Sequence, residues 1–221
     1  RVCLCMFYSH MCLQMCVRVC VCLYRDSLTR GYLNPWAPGF PYSQFLQQGL
    51  DEEQWEVVTE GHDGFTTQDL AELLPADPQR YSLVFLLAGT NDLGTSSSAS
   101  EILERLCKLH EWFHQAGVPT VAMSIPASGV DTVSAAFLAK KTTINEELEK
   151  WASSNPQVHF FDLFSAIPFE GTTLFEGGPH FNDHLHFSKQ GYQRMGELLF
   201  EFADHLGLLD KKTDSSEDKE S

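Results

Sequence analysis

Val19-Cys20-Val21-Cys22-Leu23-Tyr24, running straight into Arg25-Asp26-Ser27-Leu28-Thr29-Arg30-Gly31-Tyr32, is the stretch on which the reading of this chain turns. Its first part is an unbroken uncharged run of strand length, the pattern of a strand covered on both faces. Its second part is polar, with a glycine at the seventh place, the pattern of a loop. A buried strand that empties into a polar loop is the elementary unit of a parallel sheet, because such strands carry their functional groups on the loops after their C-terminal ends.

Four more apolar runs of strand length follow, at 55–59, 81–88, 119–125 and 158–163. Helical patterns fill the intervals. Ile102, Leu106, Leu109, Phe113 and Ala116 recur at spacings of four and three, which puts them on one helical face. Ser98 with Glu101 makes a capping box at its start, and Gly117 ends it. Phe137, Ile144, Leu148 and Trp151 mark a second long helix, closed before Asn155-Pro156. Tyr192, Met195, Leu199, Phe202 and Leu206 mark a third, with Ser188 as its N-cap, and 66–74 gives a shorter one stopped by Pro75. Alternation of this kind predicts an α/β fold, a parallel sheet with helices on both faces.

The 221 residues suit one large domain, set at 19–207, and 43% hydrophobic residues supply its core. Six of the seven cysteines lie in the first 22 residues, so the body folds without a disulfide framework. Segment 1–18 is expected to be unreliable or disordered sequence: its Val-Cys alternation is what a dinucleotide repeat would encode, and the chain opens on Arg. The tail 208–221 is charged and expected to be disordered. Fifteen Lys and Arg against thirty Asp and Glu give a formal charge of −15, which argues against nucleic acid or an anionic membrane as partner. Arg18 interrupts the uncharged N-terminal run before the length of a membrane span, so no stable span is expected.

Four loops after predicted strands carry chemistry: 25–32 with Ser27; 61–67 with Gly61, His62, Asp63 and Gly64; Gly89-Thr90-Asn91-Asp92; and 182–188, where Asp183 and His186 stand three apart. Each alone reads equally as a cap, a turn or a surface loop. Together they place a serine, two oxyanion donors and a carboxylate–histidine pair on one rim of the sheet.

This combination resembles the SGNH hydrolase superfamily, the GDSL-type lipases and esterases, whose blocks read Gly-Asp-Ser-Leu, Gly-x-Asn-Asp and Asp-x-x-His. The resemblance spans 22–206. It implies a three-layer α/β/α sandwich with a five-stranded parallel, flavodoxin-like sheet. It also implies Ser27 as nucleophile, Asp183 and His186 as the rest of a triad, and Ser27, Gly64 and Asn91 as the oxyanion hole. The activity implied is hydrolysis of small to medium carboxylic esters through an acyl-enzyme, with a small-molecule ester as partner and no cofactor. Arg25 departs from the family, which has Gly there; it suggests the other reading, a catalytically impaired SGNH-fold binding module.

Two further patterns compete for notice. His110-Glu111-Trp112-Phe113-His114 matches H-E-x-x-H, but both histidines are placed beside the apolar stripe facing solvent, with no third-ligand pattern following, so no metal is expected. His180 and His184 read as bystanders to His186. Trp36, Phe40, Tyr42 and Phe45 line an acyl or alcohol pocket or fill the core.

Overall fold

The computed structural model describes residues 19–34 and 36–210; the segment 1–18 lies outside them, as does the chain from 211 onward. Five strands, β1 (Val19–Arg25), β2 (Trp55–Gly61), β3 (Leu83–Leu87), β4 (Thr120–Met123) and β5 (Val158–Phe161), form one sheet in the order β2-β1-β3-β4-β5. Every adjacent pair is parallel. Eight α-helices are described: α1 (Ser27–Arg30), α2 (Ser43–Gln48), α3 (Thr67–Ala71), α4 (Ala99–His114), α5 (Val130–Val133), α6 (Ala135–Ser153), α7 (Leu163–Ala166) and α8 (Lys189–His205).

The sheet separates two apolar cores, and β3 shows why. Its five residues are all buried, with Leu83, Phe85 and Leu87 joining one core and Val84 and Leu86 the other. Successive strand side chains point to opposite faces, so a strand covered twice must be apolar at every position. On the first face Leu46 of α2 and Tyr192, Met195 and Leu199 of α8 close the layer. On the second, Ile102, Leu106, Leu109 and Phe113 of α4 pack with Ile144 and Leu148 of α6. The arrangement is the expected three-layer α/β/α sandwich.

The helix termini follow the capping chemistry of their sequences. Ser98 and Glu101 form the reciprocal box that starts α4, and Thr66 with Asp69 does the same for α3. The Ser188 hydroxyl accepts the Gly191 N–H at the start of α8.

Strand register positions the site. Arg25 lies level with Gly61 on β2 and with Leu87 on β3, so the loops leaving β1, β2 and β3 emerge side by side. The strand order reverses direction between β1 and β3, and the crevice of a doubly wound sheet opens at that switch point.

Three expectations need correction. His110 does not face solvent: it is fully buried, because it lies four residues after Leu106 and three before Phe113, on the stripe itself. The Thr120 hydroxyl gives it a polar partner at 2.8 Å from Nδ1 and meets His114 Nε2 at 2.9 Å, so the pair is tied to β4. The tail does not begin at 208, since Leu208 and Leu209 pack against the first core. Of the aromatic group after Ser27, Tyr42 fills the core as one of the two alternatives had it and Phe40 and Phe45 pack on each other at 5.5 Å, but Trp36, 91% exposed, is no part of the core.

Candidate active site

Ser27 is the first residue of α1, at the point where β1 ends and the chain turns into a helix of four residues. Asp26 caps that helix: its Oδ1 accepts the Leu28 N–H at 3.0 Å. As an opening residue, Ser27 has no helical partner for its own N–H. The residue is 6% exposed.

The Ser27 Oγ meets His186 Nε2 at 3.0 Å, across 159 positions of sequence. On the other side of the ring, His186 Nδ1 lies 2.9 Å from Asp183 Oδ2. A carboxylate can only accept, so Nδ1 carries the ring proton and Nε2 faces the serine as the acceptor of its hydroxyl proton.

The loop that holds His186 is closed by backbone bonds. Phe181 and Phe187 form an antiparallel bridge, Asn182 N–H donates to His186 O at 2.8 Å, and Ser188 N–H donates to His180 O at 2.8 Å. Inside the loop Asp183 Oδ1 accepts the N–H groups of Leu185 and His186, each at 2.7 Å. Burial pushes the Asp183 carboxyl up, but the bonds from the His186 ring and from the two backbone N–H groups outweigh it and hold it at about 2. Outside the loop, the Asn182 amide donates to Leu33 O at 2.7 Å, and the Tyr32 ring lies 4.4 Å from the His186 ring.

Gly64 sits on the loop after β2 at φ +77°, in the left-handed region that glycine enters without cost. Two contacts fix this loop. Asp63 pairs with Arg30 Nε of α1 at 2.8 Å, and the Asn91 amide donates to Phe65 O at 2.9 Å. The second bond uses one of the two Asn91 N–H protons.

Behind these donors lies a network to which the sequence reading assigned no role. Asp92, 1% exposed, accepts the Thr67 N–H at 2.8 Å and the Thr67 hydroxyl at 2.6 Å. Arg105 of α4 donates to Thr67 Oγ1 at 2.8 Å and to Asp92 Oδ1 at 3.3 Å. Asp92 therefore bolts the Gly64 loop to the Asn91 turn. The signal present in sequence was the carboxylate after Asn91; its partners lie 25 and 13 residues away.

The structure thus brings Ser27, Asp183 and His186 into one hydrogen-bonded series and links Gly64 to Asn91 through Phe65. His184 and His180 stand outside the series: the His184 ring meets Phe175, and the His180 carbonyl serves the loop closure. Among the described residues no three His, Cys, Asp or Glu side chains gather as metal ligands, and no helix is long and apolar enough to cross a membrane.

The model of the GDSL-like Lipase/Acylhydrolase family matches residues 26–194. Solved structures with the same fold include a lipase/acylhydrolase from Enterococcus faecalis, at 20% identity and TM-score 0.66, covering 85% of this chain and 96% of that one. A member of the lipolytic protein G-D-S-L family from Veillonella parvula matches at 19% identity and TM-score 0.64, over 83% and 97%. A GDSL-like lipase from Bacteroides thetaiotaomicron matches at 15% identity and TM-score 0.66, over 86% and 89%. No curated protein matches the chain.

Proposed function

The chain belongs to the GDSL-like lipase/acylhydrolase family, a family of ester-type hydrolases, and from that premise we propose that it is a serine esterase with Ser27 as nucleophile. The observation that carries this reading is the series Ser27 Oγ–His186 Nε2 at 3.0 Å and His186 Nδ1–Asp183 Oδ2 at 2.9 Å.

A serine hydroxyl attacks an ester only when a neighbouring base takes its proton during attack. His186 Nε2 is that base: it removes the Oγ proton as Oγ bonds to the carbonyl carbon. Asp183 holds the Nδ1–H tautomer and stabilises the imidazolium formed. The carbonyl oxygen becomes an oxyanion, received by the Ser27 and Gly64 N–H groups and the Asn91 amide. Collapse breaks the bond to the alcohol oxygen, which takes the proton from His186 Nε2 and departs, leaving an acyl-Ser27 ester. Water then repeats the sequence, giving up its proton to His186, and the acid and Ser27 are released.

The substrate class is small to medium carboxylic esters, a small-molecule partner that needs no cofactor for this chemistry. The test is hydrolysis of p-nitrophenyl esters of increasing acyl length, with labelling by a fluorophosphonate. Turnover and labelling that disappear in Ser27→Ala support the reading. A folded parent that neither turns over esters nor takes the label refutes it and favours a binding module on the same fold.

A further inference from the structure

Lys141 lies within α6 and is 1% exposed. An ammonium withdrawn from water is tolerated when its protons are bonded and its charge is matched. Here it has three acceptors: Pro126 O at 2.7 Å, Ser128 Oγ at 3.1 Å and Asp131 Oδ2 at 2.8 Å. The same Asp131 oxygen accepts the Ser128 N–H at 2.8 Å. Burial pushes the Lys141 ammonium down, and the bond to Asp131 pushes it back up. One turn along α6, Asn145 brackets Ile125, accepting its N–H at 2.8 Å and donating to its carbonyl at 3.0 Å. Two side chains of α6 thus grip the segment that follows β4.

Within the gripped segment, Gly129 N–H donates to His184 O at 2.7 Å. A Cβ on Gly129 would stand 2.1 Å from Leu174 O, so the backbone lies flush against its neighbours and only glycine fits. His184 adjoins Asp183 and lies two residues from His186. A buried ion pair adds little net stability over apolar packing of the same shape, and Asp131 Oδ1 is buried here with no hydrogen-bond partner among the described residues. The cluster is therefore poorly explained as a stabilising device alone. Nor is Lys141 with Ser128 a second nucleophilic pair, because both are sealed from solvent and the ammonium is bound to a carboxylate.

We propose that Lys141 is a positioning residue of the hydrolytic site: by pinning Pro126, Ser128 and Asp131 it holds the Gly129 N–H against the His184 carbonyl, and so sets where Asp183 and His186 stand. The inference rests on the reading of Asp183 and His186 as the acid–base pair.

The test uses the double variant Lys141→Met with Asp131→Asn, which removes both charges and leaves no orphaned carboxylate. Thermal melting, kcat and KM on p-nitrophenyl acetate, and the downfield proton line of His186 Nδ1–H are read together. The line is assigned by its absence in His186→Ala. With the double variant folded, kcat falls about tenfold to a hundredfold, KM stays within about twofold, and the line broadens or disappears. Ser128→Ala, which deletes one acceptor and keeps the ion pair, gives a smaller loss in the same direction and serves if the double variant does not fold. A folded variant whose line is unchanged in position and width, with kcat within about twofold of the parent, overturns the proposal. A parent that shows the line but no turnover refutes the esterase reading alone, and the response of the line still decides the role of Lys141.

Discussion

Replacing Asn91 by Ala separates transition-state binding from stability at one position. Among the described residues the Asn91 amide makes one bond, to Phe65 O at 2.9 Å. Losing a neutral hydrogen bond costs about 1 kcal/mol of stability. Against a global stability of about 5–15 kcal/mol, that leaves the variant folded at room temperature. On the proposed reading the second amide proton meets the oxyanion, and removing one such donor raises the barrier by about 2.7–4 kcal/mol, a fall in kcat of about 10²–10³-fold. The two effects differ enough to be told apart. Asn91→Ala should melt only a few degrees below the parent, with kcat down by about 10²-fold or more and KM nearly unchanged. Steady-state kinetics on p-nitrophenyl acetate with a denaturant melt read both quantities. Asn91→Asp keeps the shape but sets a carboxylate oxygen against Phe65 O, so it should lose more stability than Ala. A fall in kcat below about tenfold, or one expressed wholly in KM, would refute the assignment of Asn91 as an oxyanion donor.

Asp183→Asn should lower kcat by about 10⁴-fold, since an amide donating to Nδ1 favours the wrong tautomer. Its stability effect depends on pH: the parent carboxyl is held at about 2, below its ordinary 3.8, so its contribution is full above pH 4 and lost as pH falls towards 2. With the side chain 32% exposed, that contribution is about 1–2 kcal/mol after screening, and urea melts of parent and variant should converge at pH 2. Thr67→Val strips a donor from Asp92 and an acceptor from Arg105; it should cost about 2–3 kcal/mol and lower kcat by loosening the Gly64 loop. Ser98→Ala breaks the capping box of α4 far from the chemistry, so it should cost about 1 kcal/mol in a melt and leave kcat unchanged.

How far the fold could be read ahead of the structure varies by element. Strands β3 and β4 were the most legible, because a strand covered on both faces must be apolar throughout or nearly so, and every residue of both is buried. The α4 start was legible because a capping box is a local bond between residues three apart. Helices α1, α2, α5 and α7 were not, because four to six residues are too few for a 3.6-residue period to show. The burial of His110 is not legible along the chain, because it sits at the edge of the apolar stripe and Thr120, the partner that makes its burial tolerable, lies on another element. The same limit hid the roles of Thr67, Arg105 and Lys141, whose acceptors lie ten or more residues away along the chain.

Strand and long-helix alternation, the parallel sheet and the residue types at the strand ends can all be read along the chain, because propensity, capping and burial pattern act between near neighbours. So can the blocks that place the chain in its family. It takes the folded chain to bring Ser27 Oγ within 3.0 Å of His186 Nε2, to tie Asn91 to the Gly64 loop at Phe65 and to carry a lysine of α6 to the loop beside His184. Those distances are products of packing two cores against one twisted sheet. Spacing along a chain fixes which groups are available, and the closure of the chain on itself fixes which of them meet.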